Sequence, residues 1–334
     1  MKRIIENKML QWVDSSRRKP LIIRGARQVG KTWLVENCLA RRFEHFVKID
    51  LEKQKQLHAA FGDDLSPLRV IDEMEGYVGR IVPGKTLLFI DEIQACPRAI
   101  TALRYFYEDM PELHVVAAGS MLEFAFGDIS VPVGRVQYLH LSPMTFYEYL
   151  LAVDKEVLAE KLLTDPKEHS DLIGQAINEQ LKHYFFIGGM PEAVKAFRDT
   201  HSKLEAFEVQ SQILDSYRED FAKYRPQVNR SCLDGVFVEA SKSVGQQIKY
   251  TRLYDEASGV TNHKAFDLLC KAKLLHKIPS CDPSGLPLGG SSGKQFKACM
   301  LDIGLFQRLC GIDVSAEWRQ SNLLAMYRGK LAEQ

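Results

Sequence analysis

The first hydrophobic residues of the chain are spaced as they would be on one face of a helix. Apolar residues recur at three- and four-residue spacing at Ile5, Met9, Trp12 and Val13. This spacing predicts an amphipathic helix that packs on the next part of the chain. Pro20 ends the helical pattern, because proline cannot continue a helix.

Short runs that are almost entirely apolar come next. They cover residues 21–23, 86–90 and 114–118, and a partly alternating run covers 136–141. Uninterrupted apolar runs are typical of strands buried on both faces of a parallel sheet. Helical patterns over 33–41 and 98–109 lie between the runs. The first half of the chain therefore predicts an α/β domain.

The second half has a different rhythm. Apolar residues keep helical spacing from Phe146 to Arg225, with breaks at Pro166 and at residues 188–191, which predicts several helices. Three further helices are predicted, at 233–241, 251–257 and 264–275. Ile278 and residues 295–300 then bracket a loop rich in Gly, Ser and Pro at 282–293. Three helices followed by a bracketed loop suggest a winged helix with its wing.

A glycine-rich loop joins the first predicted strand to the helix at 33–41. Its residues fit the spacing G-x-x-x-x-G-K-[ST], and they are Gly25, Ala26, Arg27, Gln28, Val29, Gly30, Lys31 and Thr32. Such a loop points backbone N–H groups at phosphate, and the helix N-terminus adds its positive dipole. We expect Lys31 to reach the β- and γ-phosphates of ATP and Thr32 to ligate Mg²⁺. A plain turn capped by Thr32 is the alternative, which the strand–loop–helix context disfavours.

Two acids follow the run at 86–90. Ligands gather at the carboxyl ends of parallel strands, so Asp91 is expected near Lys31, where it would help to hold Mg²⁺. Glu92 would polarise the attacking water as the catalytic base. The alternative is a helix that begins here with its first acids stabilised by the helix dipole.

Two further polar residues are catalytic candidates. Ser120 ends the stretch 114–120, at the position where P-loop ATPases with an extra strand place a polar group near the γ-phosphate. An ordinary Gly-Ser turn is the alternative. Arg135 precedes the run at 136–141 and is a candidate arginine finger or sensor, or else a surface ion pair.

Composition limits the binding partners and the cellular compartment that we expect for this chain. The 334 residues carry 44 Lys and Arg against 43 Asp and Glu, for a net charge of +1, which argues against a uniformly basic nucleic-acid coat. Seven scattered cysteines without a C-x-x-C pair indicate reduced thiols, and hence a cytoplasmic protein. No run approaches the roughly 18 apolar residues of a membrane span. A GTPase is disfavoured, since no N-K-x-D motif occurs.

The chain resembles the bacterial and archaeal AAA-type ATPases with an AAA_14 core and a DUF4143 C-terminal region, which are similar to the STAND and origin-recognition ATPases. The resemblance covers nearly the whole chain. It rests on the matching stretches IIRGARQVGKT at 22–32, LLFIDEIQ at 87–94, AAGSML at 117–122, GRVQYLHLSPMTFYEYL at 134–150, YFFIGGMPEAV at 184–194 and LDIGL at 301–305.

The resemblance implies a P-loop αβα sandwich with a parallel sheet, an extra strand between the P-loop and Walker B strands, a helical lid and a winged helix. The implied domains are 1–150, 151–229, 230–320, and 321–334 as the start of a nuclease-like domain. Pro191 resembles the lid proline that lies against adenine in relatives, although Gly-Gly-x-Pro also suits a helix stop and restart. The later nuclease motifs are absent, so we expect no nuclease activity.

The favoured interpretation is an Mg²⁺-dependent ATPase that acts as a nucleotide-dependent switch or motor, with a homo-oligomer among the expected assemblies. The alternative is an ATP-gated DNA-binding regulator or genome-defence protein with slow hydrolysis. Its candidate contacts to duplex DNA are Lys264, Lys271, Lys273 and Lys277, on or just after the third predicted helix.

Overall fold

The structure is a computed structural model. It describes residues 1–120, 122, 132–221, 228–282, 289–311, 329–330 and 334. The chain divides into two compact units: Arg3–Ser142 forms one, and Met1–Lys2 with Pro143–Gln334 forms the other.

The first unit is built on a five-stranded parallel sheet. Its strands are β1 (Leu21–Arg24), β2 (His45–Asp50), β3 (Thr86–Asp91), β4 (His114–Gly119) and β5 (Gln137–His140). Their order across the sheet is β2-β3-β4-β1-β5, and each neighbouring pair is parallel. Strand β4 therefore separates β1 from β3, which confirms the predicted extra strand. All five carboxyl ends meet at one edge.

Helices flank this sheet. They are α1 (Glu6–Asp14), α2 (Lys31–Leu34), α3 (Pro67–Val78) and α4 (Pro97–Asp109), and α2 continues through a π-helical turn at Val35–Leu39 and a 3₁₀ turn at Ala40–Arg42. Strands β3 and β4 are buried at every position. This burial explains their uninterrupted apolar runs and confirms the P-loop α/β fold.

The second unit is mainly helical, as predicted. Its helices are α5 (Phe146–Ala152), α6 (Glu156–Lys161), α7 (Asp171–Ile187), α8 (Pro191–Thr200), α9 (Lys203–Asp220), α10 (Arg230–Lys242), α11 (Gly259–Lys271) and α12 (Ile303–Leu309). Strands β6 (Leu275–Asp282) and β7 (Gly289–Met300) form an antiparallel pair. Helix α5 begins with a capping box, in which Thr145 and Glu148 satisfy each other's backbone N–H groups.

Several predicted boundaries in this unit are wrong. Helix α11 begins at Gly259 rather than at 264, because Ser258 caps it by accepting from the Thr261 N–H. The helix predicted at 251–257 is only a 3₁₀ turn at Tyr250–Arg252. Strand β7 begins at Gly289, inside the predicted wing loop. Helix, turn, helix and hairpin follow in the expected order, while the winged-helix assignment stays a prediction.

The described residues contain no helix that is long and apolar enough to cross a bilayer. The predicted nuclease-like segment at 321–334 lies outside the described residues, apart from positions 329, 330 and 334.

Candidate nucleotide site

The glycine-rich loop lies at the carboxyl end of β1 and closes tightly against β5. A Cβ on Gly25 would collide with the backbone oxygen of Leu141, so only glycine fits there. Gly30 (φ 94°) and Gln28 (φ 66°) adopt left-handed backbone conformations. Within the loop Ala26 and Val29 are buried, whereas Arg27 and Gln28 are exposed. The chain thus wraps into a compact loop whose close approach depends on glycine.

Lys31 is folded into this loop. Its Nζ donates to the carbonyls of Gly25 (3.0 Å) and Ala26 (2.7 Å), and the residue is 7% exposed. A buried ammonium is tolerated only when it is well hydrogen-bonded. The loop carbonyls therefore hold the lysine charge beside the backbone N–H groups that begin α2, where an anion is favoured.

The predicted metal ligands lie together. Thr32 Oγ1 donates to Asp91 Oδ2 at 2.8 Å, although β4 lies between their two strands. Burial raises the pKa of Asp91 above its usual value, and the nearby Glu92 charge adds to this, while the Thr32 hydrogen bond and Lys48 oppose it. A hydroxyl and a carboxylate at this spacing are hard oxygen donors, the kind that Mg²⁺ prefers. The donor set and the glycine-dependent loop fit a magnesium–triphosphate complex.

Lys48 is a site residue that the sequence reasoning missed. It lies on β2, and its Nζ is 2.7 Å from Glu36 Oε1 and 3.7 Å from Asp91 Oδ2. A lysine therefore faces the carboxylate predicted to hold the metal. The position of Lys48 near Asp91 depends on the pairing of β2 with β3. In that register Lys48 lies opposite Phe89, and Asp50 lies opposite Asp91.

Glu92 and Ser120 also lie close together, as their strand-end positions predict. Ser120 Oγ is 3.5 Å from Glu92 Oε2. Glu92 itself has a left-handed backbone (φ 47°), which is uncommon for a residue with a side chain and recurs at functional sites.

Arg135 lies elsewhere in this unit. It precedes β5, whose Gln137 stands opposite Leu21, the first residue of β1, so Arg135 lies at the amino edge of the sheet. The glycine-rich loop at 25–32, the predicted phosphate loop, lies at the carboxyl edge. Arg135 Nε binds Glu108 Oε1 at 2.7 Å, and both side chains are partly exposed. The hypothesis that Arg135 contacts phosphate within its own chain is therefore wrong, because it lies at the opposite edge of the sheet; a role in a neighbouring subunit stays a prediction.

Arg3 is a second residue that the sequence reasoning missed. The residue is 9% exposed, and its guanidinium donates to the carbonyls of Val29 (3.2 Å) and Ser142 (2.6 Å). The planar fork of arginine suits two acceptors at once. Arg3 thereby ties the phosphate loop to the residue at which the first unit ends.

In the second unit, Pro191 begins α8 directly after the turn Gly188-Gly189-Met190. Asp302 fixes this turn: its Oδ2 accepts from the Gly189 N–H at 2.6 Å, while its Oδ1 caps α12. Burial raises the pKa of Asp302. The stretches YFFIGGMPEAV and LDIGL thus meet at one turn. Contact of Pro191 with adenine stays a prediction.

Comparison with known families matches two parts of the chain. Residues 17–150 match the family model AAA_14, described as an AAA domain, and residues 178–316 match a domain of unknown function, DUF8612. The first match includes the phosphate loop and the Asp91–Glu92 pair. The expected DUF4143 region stays a prediction.

Individual relatives are distant. An uncharacterized protein of Methanocaldococcus jannaschii is 22% identical in an alignment 207 residues long, which covers 58% of this chain and 42% of that protein. The chain thus spans about two fifths of the length of this curated relative.

Two solved structures are similar to this chain to different degrees. The Walker-type ATPase of Pyrococcus abyssi is 13% identical with a TM-score of 0.58, covering 92% of this chain and 95% of that one, and it shows the fold. The RuvB Holliday junction branch migration motor of Thermotoga maritima is 17% identical over 84% of this chain and 90% of its own, and its TM-score of 0.38 supports no inference.

Proposed function

We propose that this chain, which carries an AAA-type P-loop ATPase domain at residues 17–150, binds ATP with Mg²⁺ and hydrolyses its β–γ bond. The observation that carries the proposal is the 2.8 Å hydrogen bond from Thr32 to Asp91. It joins the end of the phosphate loop to the acidic strand end, so that the anion-binding and carboxylate groups lie at one place. Nucleotide state would then act as a switch for the second unit.

The residues divide the work by their chemistry. Backbone N–H groups of the loop would bind the triphosphate, and Lys31 would exchange its loop carbonyls for phosphate oxygens. Thr32 and Asp91 would hold Mg²⁺, which neutralises charge on the β- and γ-phosphates when bound. Glu92 would orient the attacking water and accept its proton. Ser120 stands beside Glu92, where its hydroxyl would meet the γ-phosphate.

The test is steady-state ATP turnover with a parallel binding measurement. Lys31→Ala should lose both binding and turnover. Glu92→Gln should keep binding and lose turnover about a hundredfold or more. Glu73→Gln, at an exposed ion pair on α3, is the matched control and should turn over normally. Absence of turnover in the unmodified chain, or full turnover in Glu92→Gln, would contradict the proposal.

Binding of duplex DNA is the second candidate. Lys264 and Lys271 are exposed on α11, as a DNA-contacting helix requires. Lys277 favours it less, because its Nζ lies 3.1 Å from the Tyr250 hydroxyl and 4.7 Å from the centre of the Phe296 ring. Exposed Asp267 also pairs with His263 on the same face.

Salt dependence separates DNA binding from ATPase activity alone. A DNA-binding chain should hold a duplex with an affinity that falls steeply between two salt concentrations and changes with ATP. The variant Lys264→Ala with Lys271→Ala should weaken it at low salt. Failure of the unmodified chain to retain a duplex at low salt would remove this candidate.

A further inference from the structure

Gln94 is the side chain that holds Glu92. It lies in the 3₁₀ turn Ile93–Ala95, directly after Glu92. Its Nε2 donates to Glu92 Oε2 at 2.5 Å, the oxygen that also faces Ser120. Because an ionised carboxylate can only accept hydrogen bonds, the amide must present its nitrogen to Glu92. The orientation of Gln94 is thus set by chemistry.

The fold leaves space for this glutamine. A Cβ on Gly119, the last residue of β4, would collide with Gln94 Oε1 and would lie 3.0 Å from Leu122 Cγ. A glycine at this strand end is therefore needed to seat the Gln94 amide. Gln94 Oε1 is buried and accepts no hydrogen bond from the described residues. An orphaned buried oxygen costs stability, and such costs are found at functional sites.

The hydrogen bonds leave one oxygen of Glu92 for chemistry. Gln94 and Ser120 both hydrogen-bond to Oε2, so that oxygen is held in place, while Oε1 has no hydrogen-bond partner among the described residues and can accept from a water. A catalytic group works only within a narrow range of positions, and a misplacement of about 1 Å can cost up to a hundredfold in rate.

We propose that Gln94 is a positioning residue that fixes the Glu92 carboxylate for attack on ATP, in a seat that Gly119 keeps open. The inference rests on the proposed ATPase function. It also explains why a glutamine at the end of LLFIDEIQ and a glycine in AAGSML would be needed together. Because Gln94 acts through Glu92 and not through the phosphate loop, its loss should lower kcat and leave ATP affinity unchanged.

The primary variant is Gln94→Met, which keeps the length of the side chain and removes the amide. We expect kcat to fall about tenfold with an unchanged Kd for ATP. Gly119→Ala places a Cβ where the Gln94 amide lies, so it should displace the amide and lower kcat by a similar factor. Gln11→Met, at an exposed position of α1, is the matched control and should behave as the unmodified chain.

A double-variant cycle separates positioning from a general structural effect. In the Glu92→Gln background, Gln94→Met should cause no further loss of kcat, because the carboxylate it positions is gone. An additional tenfold loss there would overturn the proposal. So would a normal kcat in Gln94→Met. Thermal unfolding of each variant identifies any that fail to fold, and either of the two single variants suffices for the cycle.

The outcomes also separate this inference from the ATPase function. If the unmodified chain turns over ATP and Glu92→Gln does not, while Gln94→Met is normal, only the role of Gln94 is wrong. If the unmodified chain does not turn over ATP, the proposed function and this inference fail together.

Discussion

Asp302 gives the sharpest prediction about stability. Its carboxylate accepts three backbone N–H groups: Gly189 at 2.6 Å, Gly304 at 2.9 Å and Leu305 at 3.0 Å. The residue is 3% exposed. It therefore caps helix α12 and holds the turn before α8 at the same time. Asp302→Ala removes every one of these acceptors.

The expected loss follows from these three bonds. Each buried N–H left without a partner costs about 1–3 kcal/mol. Part of that cost is offset, because the variant no longer buries a carboxylate. We therefore expect a net loss of about 3 kcal/mol, below the sum for three unsatisfied N–H groups because of that offset. For a unit of this size, that loss lowers the unfolding temperature by about 7 °C.

Urea unfolding followed by circular dichroism measures this free energy, with Asp255→Ala, at an exposed position of the same unit, as the control. Asp302→Asn should fall between the two, because its amide can accept from α12 but presents a donor to Gly189. A loss below about 1 kcal/mol in Asp302→Ala would refute the claim that three unsatisfied N–H groups decide the stability of this turn.

Two further predictions concern the first unit. Lys48→Met removes an ammonium 3.7 Å from Asp91 Oδ2 and should lower the Mg²⁺ concentration for half-maximal turnover about threefold. Lys53→Met is the control, and an unchanged or higher Mg²⁺ requirement in Lys48→Met would contradict this prediction. Arg135→Ala should leave turnover intact at dilute protein, because Arg135 pairs with Glu108 at the opposite edge of the sheet. A loss that is independent of protein concentration would show that this placement is wrong, whereas a loss that appears only at high concentration would indicate a role in a neighbouring subunit.

The parts of the fold that local pattern determines were predictable. The strand at 86–90 and the loop at 25–32 can each be identified from a few consecutive residues. The carboxyl ends of parallel strands lie at one edge of the sheet, which predicts that Thr32 and Asp91 lie close together, as they do. Strand β2 was missed, because it is an edge strand whose buried positions alternate with partly exposed ones and whose polar residues include Lys48. Its register is set by its partner, and sequence does not show a partner.

Residues that act through distant neighbours were the least predictable. Gln94 stands two positions from Glu92, yet its role depends on the space above Gly119. Asp302 fits an N-cap pattern, but its bond to Gly189 spans 113 positions. For Arg135 a signal was present: a residue just before a parallel strand lies at the edge away from the phosphate loop. That rule, applied to both ends of each strand, would have excluded a contact with phosphate in the same chain.

Calorimetric titration with Mg-ATP tests the central claim most directly. The account predicts one site per chain that releases heat in the unmodified protein, vanishes in Lys31→Ala and persists in Glu92→Gln. Saturable binding that survives Lys31→Ala would place the nucleotide somewhere other than the loop at 25–32. The absence of any binding heat in the unmodified chain, checked at two temperatures, would contradict the account outright.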